Sequence, residues 1–109
     1  MDFKTIESNI ELQQALKNSD KSYLLFSKSG AEQSDCAYKN LQQIESNASD
    51  VKFFVVDVTK THDIHQQYQI TSAPVLLEFS GDKPGKMIKG CHESGFFKSL
   101  FENALYSAV

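Results

Sequence analysis

The segment Thr71-Ser72-Ala73-Pro74-Val75 constrains this chain more than any other, because it sets a proline at the mouth of an apolar strand. The run that follows, Val75-Leu76-Leu77-Glu78-Phe79, has the composition of a buried strand. Proline has no backbone N–H to give to a ladder, so central strands exclude it, but a strand's first residue tolerates it. A cis bond at Ala73-Pro74 is expected to mark a deliberate turn there, since cis peptides are essentially confined to proline.

Around that point, strand-like and helix-like segments alternate. Residues 3–6 read as a short alternating strand. Ser8 or Asn9 can cap a helix carrying Ile10, Leu12, Ala15 and Leu16. Residues 22–26 form a buried-type strand, and residues 27–33 a polar loop containing Gly30. Ser34 or Asp35 can start a helix with Ala37, Tyr38, Leu41 and Ile44 on its apolar face. Residues 51–58 make a second buried-type strand, and Thr61 or Asp63 opens a short helix through Tyr68. Residues 75–79 and 86–90 pair as a hairpin across the turn residues 81–85. Ser94 can cap a last helix carrying Phe97, Leu100, Phe101, Ala104 and Leu105.

The order is β-α-β-α-β-α-β-β-α. Unbroken apolar strands between helices call for a sheet covered on both faces. Crossover helices imply parallel strands, and the closing hairpin adds antiparallel ones. With 109 residues the chain is expected to be one domain, residues 1–109. Eleven basic against fourteen acidic residues, with no basic run, argue against nucleic acid as a partner. No apolar run reaches membrane-spanning length and none follows Met1 as a signal region, so a soluble cytoplasmic protein is the expectation. Two widely separated cysteines are too few for a secreted disulfide scaffold. Cys36, Cys91 and the three histidines lack metal-ligand spacing, so neither a metal nor another cofactor is expected.

The segment order resembles the thioredoxin fold over essentially the whole chain, a three-layer α/β/α arrangement with a mixed central sheet. The specific parts of the resemblance are residues 26–44 and the Ser72-Ala73-Pro74 element. In that family the first reactive cysteine stands where the second strand passes into the next helix. Free backbone N–H groups and the helix dipole favour a thiolate there. Aligning Phe26, Leu41 and Ile44 lays the C-x-x-C frame on Ala31-Glu32-Gln33-Ser34 without an insertion. The stretch from Phe26 to Ser34, followed by Ala37-Tyr38, is also similar to the monothiol bacilliredoxins, which carry C-x-x-S. Ser34 matches their serine, whereas Ala31 departs from the pattern at the atom that does the chemistry. The hydroxyl of Ser34 cannot replace a thiolate in disulfide exchange.

Three readings of Ala31 stand at this point: a natural degenerate member, an engineered replacement of a cysteine, or a chain whose thiol has moved to Cys36. Cys36 falls just inside the helix and reads either as a small packed residue or as a displaced monothiol. Cys91, after Gly90 at the end of the last strand, reads either as a loop cysteine or as part of the groove that the resemblance implies. A Cys36–Cys91 disulfide needs Cα atoms within about 7 Å; nothing in the spacing brings them together, and both are expected to be free. His62 and His65 read as solvated surface. The resemblance further implies that Ala73 offers its main chain beside Pro74 to an extended substrate, with Gly90 and Cys91 bordering the same groove. Two functions follow. One is thiol–disulfide exchange with a protein, a peptide or a low-molecular-weight thiol. The other is a non-catalytic module that holds an extended partner at the proline groove.

Overall fold

The computed structural model describes residues 2–44 and 51–107, with side chains through residue 102. The elements are β1 (Lys4–Thr5), α1 (Asn9–Lys17), β2 (Lys21–Ser27), α2 (Glu32–Gln42), β3 (Val51–Asp57), α3 (Asp63–Gln67), β4 (Val75–Ser80), β5 (Lys83–Lys89) and α4 (Ser94–Ser107). The strands form one sheet in the order β1-β3-β2-β4-β5. β1 and β2 run parallel to β3, while β4 runs antiparallel to β2 and to β5. This is the mixed, doubly covered sheet expected from the segment order.

The two faces separate by the strand period of two. Leu24 and Phe26 join Phe54, Val56 and Leu77 under Leu12 and Leu16 of α1 and Ile64 of α3. Tyr23 and Leu25 point the other way, to Phe53, Val55 and Leu76, under Leu41 of α2 and Phe97 and Phe101 of α4. Three layers follow directly: α1 and α3, the sheet, then α2 and α4. On the second face Phe53 stacks on Tyr23 and meets Phe101 at 5.0 Å between ring centroids. Ala104, Leu105 and Tyr106 lie beyond the residues whose side chains are described.

Several boundaries differ from the sequence expectation, each for a local reason. Ser8 is the α1 cap, its hydroxyl accepting from the Glu11 N–H at 3.1 Å. α2 begins at Glu32 rather than at Ser34 or Asp35. Gly30, at φ +83°, turns the chain so that Ala31 takes the cap position, and Asp35 N–H reaches the Ala31 carbonyl at 3.0 Å. An alanine cap carries no side-chain signal, so polar residues deeper in the helix look like better starts. β5 begins at Lys83, which shortens the hairpin connection to Gly81 and Asp82. Pro84 is accommodated because β5 lies at the sheet edge, and the register shifts opposite Glu78. Ser94 is not a cap; it is the first residue of α4, and its hydroxyl donates to the Asn40 carbonyl at 2.8 Å, tying α4 to α2.

Candidate functional site

Phe26, Val75 and Lys89 stand abreast on three neighbouring strands. The three segments leaving that end of the sheet are therefore neighbours by construction. They are the loop 28–31 after β2, residues 71–74 before β4, and residues 90–92 after β5. The Ala73-Pro74 bond is cis. Pro74 is buried, and its carbonyl accepts from Gly90 N–H at 3.0 Å. Gly90, at φ +86°, makes that turn in a region open to glycine.

Ala31 occupies the N-cap of α2 with no side-chain cap hydrogen bond. The position is where a helix N-terminus would favour an anion, and a methyl group stands there instead. Ser34 lies one turn into the helix and is fully buried. Its Oγ accepts from the backbone N–H of Lys28 at 3.0 Å, which fastens the β2–α2 loop to the helix. Ser34 is thus a loop anchor, enclosed by protein and spent on that bond.

The expectation of two free thiols is corrected by the structure. Cys36 and Cys91 are joined in a disulfide with Cα atoms 5.8 Å apart, and neither is free. Sequence spacing hides the contact because it is made in the third dimension. The chain leaving β5 crosses the flank of α2 on its way to α4. Both cysteines are half-buried, and the Cys36 sulfur is taken up by the bond to Cys91. Cys36 also sits in the second turn of α2, where the dipole field has already faded.

Asn40, one turn beyond Cys36, organises this corner. Its Nδ2 donates to Cys91 Sγ at 3.4 Å, to Cys36 Sγ at the longer distance of 3.8 Å, and to the His92 carbonyl at 2.9 Å. The His92 ring reaches the Lys89 carbonyl through Nε2 at 2.9 Å and stacks on Phe96. Asn40 carries only a faint signal in the sequence, an asparagine inside a helix where that residue is a weak helix former.

On the α3 side of the same sheet end, Lys28 and Ala73 line a single cavity of about 920 Å³ with Val58 and Ile70 among its apolar walls. Asp57 stands beneath this rim. Its Oδ1 accepts from Thr59 Oγ1 at 2.7 Å, Thr59 N–H at 2.9 Å and Ser29 N–H at 3.4 Å. Burial pushes the Asp57 carboxyl up, but the bonds from Thr59 and Ser29 and the Lys60 charge outweigh it and hold it below the usual range. Gln69, at φ +57°, ends α3 in a left-handed turn, with Ile70 N–H bonded to the His65 carbonyl at 2.8 Å. His62 is exposed and His65 half-buried, and both line the cavity. Among the described residues no group of three metal-ligating side chains is assembled, and no helix is long and apolar enough to cross a membrane.

Solved structures share this architecture. Thioredoxin from Malassezia sympodialis superposes with a TM-score of 0.82, covering 93% of this chain and 90% of that one at 17% identity. A mutant thioredoxin from Halobacterium salinarum gives 0.83, covering 94% and 89% at 15% identity. The oxidized mitochondrial thioredoxin 3 of Saccharomyces cerevisiae gives 0.80, covering 92% and 94% at 18% identity. No protein-family model and no curated protein sequence matches the chain. The fold is the thioredoxin fold, in an atypical form that pairs Cys36 with Cys91 and has no C-x-x-C.

Proposed function

We propose that this thioredoxin-fold chain, acting as one domain, is a thiol–disulfide redox protein whose exchange centre is the Cys36–Cys91 pair. One observation carries the reading. A half-exposed disulfide sits one residue from Gly90, and Gly90 is bonded to the cis-proline. Ala31 and Ser34 supply no thiol, so the degenerate A-E-Q-S motif hands the chemistry to another pair.

The asymmetry of Asn40 orders the steps. A hydrogen-bond donor nearer Cys91 Sγ favours the thiolate on that sulfur. An external thiolate therefore attacks Cys36 Sγ, the Cys36–Cys91 bond breaks, and Cys91 leaves as a thiolate. In the reducing direction the Cys36 thiolate attacks a substrate disulfide and releases one substrate thiol. The Cys91 thiolate then attacks Cys36 Sγ in the mixed disulfide and releases the second. The protein loses two electrons and the substrate disulfide gains two electrons and two protons. A low-molecular-weight thiol or dithiol restores the reduced pair. The reducing cytoplasm is the compartment where such a pair would cycle.

Insulin-disulfide reduction by dithiothreitol tests the reading. The chain is expected to accelerate it and Cys36→Ser to abolish the acceleration. Cys91→Ser is expected to hold substrate on Cys36 as a mixed disulfide visible by mass. Equal rates with and without protein, or full activity in Cys36→Ser, would remove the pair from the chemistry.

A second reading, a non-catalytic module at the groove, is favoured by a different observation. Among the described residues, no backbone hydrogen bond within the chain engages Thr71, Ser72 or Ala73. Three successive residues with unpaired main-chain groups beside a cis-proline are suited to adding an extended partner strand.

A further inference from the structure

We infer that the cavity between Lys28 and α3 selects the partner at this groove, and that it takes an extended peptide segment bearing carboxylate side chains. The inference rests on the groove-binding reading, to which it adds the chemistry of the occupant.

The argument starts from what the walls can do. Lys28 brings an ammonium group, exposed on the loop between β2 and α2. From α3 and the residues flanking it come His62, His65, Gln66 and Gln69. Each imidazole offers at least one ring N–H in either protonation state, and each glutamine offers an amide NH₂. Among the described residues no Asp or Glu lines the cavity. Donors and one fixed positive charge, without a lining carboxylate, complement an anion and repel a cation.

Two neighbouring carboxylates are committed elsewhere. Asp57 is spent on Thr59 and Ser29. Asp63 Oδ2 accepts from Asn9 N–H at 3.1 Å, on the first residue of α1. Neither competes with a guest as an acceptor from the cavity walls.

The shape argues for a peptide over a small free anion. About 920 Å³ is far more than one carboxylate occupies. Ala73 belongs to the same lining, so the unpaired main chain of residues 71–73 forms one margin of the chamber. A strand added along that margin directs alternate side chains to one side. Every second residue of the guest then faces Lys28 and the α3 donors. Val58 and Ile70 give the aliphatic stem of a glutamate an apolar surface to rest on.

The test uses three acetylated, amidated peptides, repeats of Glu-Thr, of Gln-Thr and of Lys-Thr, titrated into the isotopically labelled full chain at low salt. Amide shifts are expected to move at Lys28 and at Thr71, Ser72 and Ala73 with the Glu-Thr peptide. Its affinity is expected to exceed that of the Gln-Thr peptide roughly tenfold, with the margin shrinking as salt rises. Lys28→Gln, an exposed substitution, should erase most of that margin and leave the fold intact. Equal affinity for the Glu-Thr and Gln-Thr peptides overturns the acidic selectivity while leaving a groove that binds main chain. No shift with any peptide, or shifts elsewhere on the surface, overturns both. Free glutamate binding as tightly as the peptide overturns the extended-segment occupant.

Discussion

Gly90 N–H and the Pro74 carbonyl meet at 3.0 Å, which couples the segment carrying Cys91 to the cis-proline turn. The disulfide then couples that segment to α2 through Cys36. Closing a loop of 55 residues restricts the unfolded chain, an effect worth roughly 4 kcal/mol in the chain-entropy account. Chemical denaturation with and without reductant is expected to show a loss of that order on reduction. Cys36→Ser should reproduce the loss without reductant. A midpoint indifferent to reductant would mean the pair adds nothing to stability.

Ala31 leaves the first turn of α2 without a side-chain acceptor. Ala31→Asp supplies one and sets a negative charge against the helix dipole, an expected gain of about 1 kcal/mol. Urea titration measures it. The exchange rate should stay unchanged, because position 31 holds no reacting atom in the proposed mechanism.

Ser22 is wholly buried in β2, and its hydroxyl has no partner among the described residues. An unmatched buried hydroxyl costs free energy on leaving water. Ser22→Ala removes the group and little volume, so stability is expected to rise by about 1 kcal/mol. A clear fall would show that the hydroxyl is satisfied in solution.

Tyr23 predicts a response to alkali. Burial raises its phenol well above the ordinary value, and repulsion from Glu78 and the hydrogen bond to Glu78 Oε2 at 3.1 Å raise it further. The unfolded chain releases this proton near pH 10, whereas the folded chain keeps it. Above that pH the folded state binds more protons, so further alkali favours unfolding. The contribution is whole below about pH 10 and drains away above it. Tyr23→Phe should flatten the decline in unfolding free energy above about pH 10. An unchanged slope would assign the decline to other groups.

The alternation of apolar strands and amphipathic helices made the layered sheet legible in the sequence. Leu24 and Phe26 against Tyr23 and Leu25 already sort the two faces. Pro74 at the start of β4 was legible for the same reason: proline leaves few places to stand. The Cys36–Cys91 bond was not, because it depends on how the chain beyond β5 crosses α2, a matter of packing between distant segments. Ser34 shows another limit. Its residue type fits a reactive motif, yet only burial and the Lys28 N–H reveal that it holds a loop. The left-handed Gln69 left no trace in composition, since glycine or asparagine is the usual choice there.

The outermost strands carry a consequence for neighbouring molecules. β1 has two residues, too few for another chain to grip. β5 carries exposed Lys83, Lys86 and Lys89, lacks the Pro84 N–H, and is broken in register opposite Glu78. A second copy approaching the β5 flank meets like charge and a gapped row of donors, and the β1 flank offers almost no strand to pair with, so crowded solutions of this protein should resist lateral stacking of sheets.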